Sequence, residues 1–336
     1  MDADLRPPHN RNVKTAYFRA ADGHTVVLAN DEAIREALAD ASGLLWVDFE
    51  QTTREEAALL DAPFGFHHLA IDDCFNQHID PAKVDDYGGY IFLVAQATSY
   101  DQETAQLAAT ELNLFLGPNY VVSFHQQALH FIGQLRQRAM EDGPDFARGA
   151  DFLAHALLDG LVDDYQPAVE QLDETLSRLE EEVLARPQPP LLQSVLQLKR
   201  NVQRLRRTII PQRDVVNRIA RGEFPSVVRP ESYVYFRDIY DHVLRVEQLV
   251  ESVRDLADGV LNTYLSAINN RMNEVMKTLS VVATILLPLT FIASIYGMNF
   301  EHMPELRWHL GYFLALGSMA AVALGMVVFF RLRRWF

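Results

Sequence analysis

The sequence predicts an α+β membrane protein with an N-terminal α/β cytosolic domain, a funnel of long stalk helices and two C-terminal transmembrane helices. Three observations lead there. Residues 278–300 and 310–330 contain no Asp, Glu, Lys, Arg or His, and each run reaches the roughly 20 apolar residues that a spanning helix needs. Residues 13–125 mix short β-rich runs with short helical ones. Residues 231–296, a stretch of 66, hold an apolar stripe in steps of three and four with no proline before the membrane.

The α/β part comes first. Residues 13–18, 25–28, 44–49, 90–97, 107–116 and 120–124 are rich in β-branched and aromatic side chains and predict strands. Residues 31–39, 53–60 and 67–75 predict helices, the second opening on a Thr53 cap with Glu55 and Glu56 in its first turn. From residue 149 the pattern turns helical: Leu153, Leu157, Leu161, Val162, Val169, Leu172, Leu176 and Leu179 predict one helix over 152–184. It closes at Arg186-Pro187-Gln188-Pro189-Pro190, and a second helix over 191–219 completes an antiparallel pair. Glu174, Glu180, Glu181 and Glu182 near that turn invite a cation-collecting reading, but a charged helix face in water is the favoured one.

In the third helix Val243, Val246, Val250, Val253, Ala257, Val260 and Tyr264 form a stripe of coiled-coil type. It continues through Leu265, Ile268, Met272 and Val275 into the first span. At 1.5 Å per residue this helix measures roughly 100 Å. Its stripe calls for neighbouring helices and hence an oligomer. The expected organisation is 1–148 cytosolic α/β domain, 149–230 antiparallel helical pair, 231–277 stalk, 278–298 first transmembrane helix, 299–309 extracytoplasmic loop, 310–330 second transmembrane helix and 331–336 basic cytoplasmic tail.

Charge is distributed unevenly. Beyond Lys277 four arginines stand against two glutamates, leaving +2 there, so of the net −15 a charge of −17 falls on residues 1–277. Such an acidic domain argues against nucleic acid, which demands clustered Lys and Arg. The single cysteine, Cys74, excludes an internal disulfide and a cysteine zinc site and fits a reducing compartment. Residues 1–8 lack the apolar core of a signal peptide. Arg271 and Lys277 before the first span and Arg331, Arg333 and Arg334 after the second place both termini in the cytoplasm by the positive-inside rule.

Between the spans lies Tyr296-Gly297-Met298-Asn299-Phe300, then Glu301 and His302, then Met303-Pro304-Glu305-Leu306. With the preceding Pro288-Leu289-Thr290-Phe291-Ile292, two spans and a basic C-terminus, this resembles the signature of the CorA-type magnesium transporters. In that family Gly-Met-Asn forms the outer mouth of an ion pore, and the resemblance implies a homo-oligomer, a pentamer, in the inner (plasma) membrane.

One face of the first span reads Asn273, Met276, Ser280, Ala283, Leu287, Thr290, Ser294 and Gly297. Around a symmetry axis it would line a narrow neutral tube; small residues also let membrane helices pack closely, so helix packing alone accounts for the face without the motif. Mg2+ loses its water reluctantly, and neutral carboxamides and hydroxyls can accept hydrogen bonds from the waters of a hydrated ion. The resemblance places Asn299 at the selectivity site and Thr290, Leu287, Leu279, Met276 and Asn273 along the pore, Leu287 standing where some relatives have Met. Ala283 shares the face, and Met298 belongs to the motif. Leu279, Met276 and Leu287 read as apolar collars that close the tube by excluding water. Gly297 is expected to let the helix end sharply at the mouth, Tyr296 and Phe300 to pack the mouth, and Glu301 and Glu305 to concentrate cations outside.

In the soluble part, Phe66-His67-His68-Leu69-Ala70-Ile71-Asp72-Asp73 and Tyr235-Phe236-Arg237-Asp238-Ile239-Tyr240-Asp241-His242 resemble two further family segments. The resemblance implies that Asp73 and Asp238 meet across a subunit interface and bind regulatory Mg2+. Either acid also reads as a plain surface charge, and Asp73 as the partner of a nearby Lys or Arg. Asp163-Asp164 matches the family too, without an assigned role. The reading is a magnesium channel that also admits Co2+ and Ni2+, with Mg2+ both transported and regulatory and no organic cofactor. The alternatives are the same architecture carrying Zn2+ or another transition metal, or a membrane-tethered sensor. No nucleophile with its base, nor a phosphate-binding loop, stands at recognisable spacing, so an enzyme is not expected.

Overall fold

The computed structural model describes residues 13–76, 78–101, 104–141, 143–299, 303–333 and 335. Its sheet is built from strands β1 (Val13–Arg19), β2 (Thr25–Leu28), β3 (Leu44–Glu50), β4 (Lys83–Asp86), β5 (Ile91–Asp101), β6 (Gln106–Leu116) and β7 (Tyr120–His125), with β3, β5 and β7 buried on both faces over most of their length. Their order is β2-β1-β3-β7-β6-β5-β4. Every pair is antiparallel except β3 with β7, which run parallel with Trp46 opposite Val121.

The period of two divides β3 between two layers. Leu45, Val47 and Phe49 join Phe92, Phe115 and Phe124 in the core beneath α1 (Asp31–Ala39) and α2 (His68–Cys74). Trp46 and Asp48 face the other way. There Trp46 meets Phe146 of α4 (Pro144–Ala147), and Arg136 of α3 (His130–Met140) reaches Asp48. Asp48 is fully buried, and it accepts from Arg136 Nε at 3.0 Å and from Ser123 Oγ, with His125 Nε2 3.4 Å away. Ser123 in turn accepts from Trp46 Nε1 at 3.0 Å. A buried charge is tolerated only when surrounded in this way.

The helical part continues with α5 (Ala150–Asp163), α6 (Tyr165–Ala185), α7 (Pro189–Ala220), α8 (Tyr233–Tyr296) and α9 (Gly311–Leu332). Helices α5 and α7 cover the outer face of the sheet. Helix α7 ends on Gly222, whose φ of +76° suits a residue without Cβ, and Glu223 N–H returns to Arg218 O at 3.2 Å. Along α7 and α8 three ion pairs run in opposite chain directions: Lys199 with Asp258 at 2.5 Å, Arg206 with Glu251, and Arg213 with Glu247 at 3.0 Å.

Three expectations change. Residues 53–60 form turns and a short 3-10 segment, Ala58–Leu60, although Thr53 N–H and Oγ do bond Glu56 at 2.9 and 2.8 Å as a cap should. Pro63 and Gly65 (φ +66°) turn the chain before a helix can extend. The helix over 152–184 is two helices. Pro167 has no N–H for the Asp163 carbonyl, and the break falls at Asp164. Strand β4 and helices α3 and α4 had no expectation. Finally, the stripe Val243, Val246, Val250, Val253, Ala257 and Val260 is buried within the single chain, so it does not by itself require an oligomer.

By internal contacts the chain divides into two units, Met1–Glu182 with Gln188–Leu261 and Val183–Pro187 with Asn262–Phe336. Among the described residues two helices are long and apolar enough to cross a membrane, Pro230–Tyr296, whose latter part belongs to the second unit, and Gly311–Leu332, with mean hydropathies of 2.1 and 2.3.

Candidate functional site

Asn273, Met276, Ser280, Ala283, Leu287, Thr290, Ser294 and Gly297 follow one another three or four places apart along α8, with Leu279 beside them, and all are exposed in the single chain. No ionisable side chain falls between Lys277 and Tyr296. Two hydroxyls on this face turn their protons inward: Ser280 Oγ donates to Met276 O at 2.8 Å, and Thr290 Oγ1 to Leu287 O at 2.8 Å and Leu286 O at 3.0 Å. That leaves oxygen lone pairs directed away from the helix, an acceptor surface suited to the hydrogens of water around a cation. Pro288 lacks the N–H that the Thr284 carbonyl would otherwise receive. Neither detail was drawn from the sequence, although Ser, Thr and Pro at these spacings are its signal.

Helix α8 ends at Tyr296 by tightening. Gly297 N–H bonds Ala293 O at 3.0 Å and Ser294 O at 3.2 Å, and Met298 N–H bonds Ile295 O at 3.3 Å. Gly297 is outside the left-handed region, and a Cβ there would meet nothing closer than the Ala293 carbonyl at 3.4 Å. The helix ends beside Gly297, as expected, through a 3-10 closing turn and not a left-handed one. Met298 and Asn299 lie exposed just beyond. Tyr296 lines a groove of about 360 Å3 with Trp308 and Tyr312, aromatic side chains of the kind that settle at a membrane surface. Phe300 and Glu301 lie outside the described residues, as does the side chain of Glu305, whose backbone joins the 3-10 turn Pro304–Arg307.

In the soluble unit, Asp73 Oδ2 accepts from Lys83 Nζ at 2.6 Å. Burial works to lower the Lys83 pKa, yet the hydrogen bond and charge of Asp73, helped by Asp85 and Asp80, raise it. Asp72 pairs with Arg54. Asp238 lies 3.8 Å from His242 one turn along α8. Neither Asp73 nor Asp238 belongs to the group that does come together. That group is Asp159 and Asp163, a turn apart on α5, with His242 of α8, their ligand atoms all within 4.8 Å of one another. Burial raises the Asp159 pKa, and the charge of Asp163 adds to it against the opposing pull of His155. A cleft of about 550 Å3 beside α3, lined by Gln134, His155, Asp159 and Asp163, opens onto the same acids. Two carboxylates and an imidazole suit a first-row divalent ion directly, and Mg2+ through retained waters. Sequence reasoning singled out Asp163 without a role and passed over Asp159 and His242. Their signal was the repeated spacing of four, Asp159 to Asp163 and Asp238 to His242.

Comparison with known proteins agrees with this architecture. The cobalt/magnesium transport protein CorA of Thermotoga maritima is 40% identical over 298 residues, covering 88% of this chain and 84% of the relative. The complete CorA magnesium transporter structure from Methanocaldococcus jannaschii superposes with a TM-score of 0.83 at 22% identity, covering 97% of this chain and all of the other. The full-length CmaX protein gives 0.74 at 20% identity, over 98% of this chain and 100% of that one. Residues 41–334 match the family described as CorA-like Mg2+ transporter protein, and the chain belongs to that family.

Proposed function

We propose that this chain assembles as a homo-oligomer, a pentamer, in the inner (plasma) membrane with both termini cytoplasmic. There it conducts hydrated Mg2+ inward, and Co2+ and Ni2+ of similar hydrated size. The observation that carries this reading is the neutral, acceptor-bearing face of α8 leading from Asn273 to the exposed Asn299. An anionic site would grip a dehydrated ion and release it slowly, whereas carboxamide and hydroxyl oxygens can pass an ion with its water. The membrane potential supplies the drive, about twice 2.3 kcal/mol per 100 mV for a divalent ion.

The same helix that bears this face carries Asp238 and His242 at its other end. Regulatory divalent ions are proposed to bind where Asp73 and Asp238 of adjacent copies meet and at Asp159, Asp163 and His242. Ions that bind only the closed assembly stabilise it, and their loss at low cytosolic concentration releases the stalks. Met276, Leu279 and Leu287 then act as apolar collars that close the path.

Divalent uptake into proteoliposomes under an inside-negative potential tests this. Mg2+ influx should appear, collapse in Asn299→Ala and fall as Mg2+ rises on the stalk side. Zn2+ flux without Mg2+ flux would replace the ion assignment, and a folded oligomer that moves no ion would leave the hairpin as a tether.

A further inference from the structure

A second polar feature of the soluble unit is unrelated to the conduction path. Between the segment after α2 and the near ends of β6 and β7 lies a cavity of about 490 Å3, lined in part by Cys74, Phe75, Ile79, Glu111, Asn113 and Phe124. Glu111 and Asn113 stand two places apart on β6 and so point to the same face. Phe124, opposite Asn113 in the ladder, and Phe75, whose ring meets that of Phe124 edge to face at 4.9 Å, supply its aromatic wall.

Asn113 is only 2% exposed, and its Oδ1 has no hydrogen-bond partner among the described residues. Its amide nitrogen side serves Glu111, whose Oε2 also accepts from Asp80 N–H at 3.1 Å. A buried acceptor left unmet in this way costs free energy until a donor arrives. The local field determines which donor. No Lys or Arg lines the cavity. Burial pushes the Glu111 carboxyl up, and the charges of Asp80 and Asp73 add to the same effect. An arriving positive charge would relieve this more than a neutral donor, because it adds charge attraction to the hydrogen bond. The walls decide the rest: Phe75, Ile79 and Phe124 make an apolar side, Asn76, His78, Thr110, Gln126 and Gln127 a polar one, and the single carboxyl among them is a poor anchor for Mg2+, which is held through carboxylates in near-octahedral oxygen and keeps its waters.

We propose that this cavity binds a short organic ammonium ion. Its N–H groups donate to Asn113 Oδ1 and the Glu111 carboxylate, and its carbon chain lies against Phe75, Phe124 and Ile79.

Calorimetric titration of the full-length protein in detergent with butylammonium chloride, alongside n-butanol, tests it. Saturable butylammonium binding is expected with Kd on the order of millimolar, with butanol at least roughly tenfold weaker because a charge-assisted bond is lost. Glu111→Gln, nearly isosteric, and Asn113→Ala should each weaken butylammonium about tenfold. The amine-against-alcohol comparison needs only the wild type, so it stands even if a substitution unfolds the domain. Absence of saturable binding, equal binding of butanol, unchanged binding in both variants, or displacement of butylammonium by stoichiometric Mg2+ would each overturn the assignment.

Discussion

Lys83 donates to Asp73 at 2.6 Å, so an acid expected to hold a metal ion between subunits already holds an ammonium within its own chain. Both partners are partly exposed, and such pairs contribute modestly. An incoming divalent ion must therefore compete with a lysine. Lys83→Met should tighten inhibition by stalk-side Mg2+ by up to about fivefold, read as a lower half-inhibitory concentration in the flux assay. An unchanged value would show that Asp73 does not bind the regulatory ion.

His242 supplies the nitrogen of the group it forms with Asp159 and Asp163. Imidazole favours Co2+ and Ni2+, whereas Mg2+ prefers oxygen. His242→Ala should weaken Co2+ binding roughly tenfold or more, with a smaller change for Mg2+. Thermal stabilisation by each ion, compared between wild type and variant, reports the difference; equal losses for both ions would count against direct ligation.

The buried His125 and Asp48 set a pH window. Burial works to lower the His125 pKa, but the hydrogen bond and charge of Asp48, with the Gln127 carbonyl, raise it. Its contribution to stability is therefore complete below the unfolded value of about 6.5 and is lost as pH rises through the folded one. For Asp48, burial acts to raise the pKa while His125, Arg136 and Ser123 hold it below the usual carboxylate range. That contribution is present above the unfolded value of about 3.9 and lost as pH falls through the folded one. Melting temperature should fall from neutral to alkaline pH, and His125→Asn should flatten that slope. Asp48→Asn, which leaves the Arg136 guanidinium without its buried partner, should cost about 3–5 kcal/mol in chemical denaturation.

Thr290 offers the conduction face an oxygen whose proton is already committed to Leu286 and Leu287. Thr290→Ser keeps that acceptor and should conduct Mg2+ near the wild-type rate. Thr290→Val removes it and should slow influx by up to about tenfold. Similar flux in Ser and Val variants would mean the hydroxyl meets no hydrated ion.

Much of this was legible in the sequence. The six expected strands are present because β-branched and aromatic runs also had to fill a two-sided core, as Leu45 and Trp46 do on opposite faces. Strand β4 was invisible because three of its four residues, Lys83, Asp85 and Asp86, carry charge, as suits a sheet edge. Pro167 was a readable breaker that the strong apolar period around it overrode. The valine stripe of α8 was read correctly as a packing face, but periodicity does not say whether the partner is another chain or the chain's own α7. Asp159, Asp163 and His242 escaped because α5 and α8 are distant in sequence, and proximity of that kind is decided by the packing of helices on the sheet.

The opposed charges of α7 and α8 have a mechanical consequence. Lys199, Arg206 and Arg213 repeat every seven residues, about 10.5 Å along a helix, and each engages an acid on the partner helix. Together they favour one axial register of α8 against α7: a slip along the helix strains all three pairs at once, each partly exposed and worth up to about 1 kcal/mol.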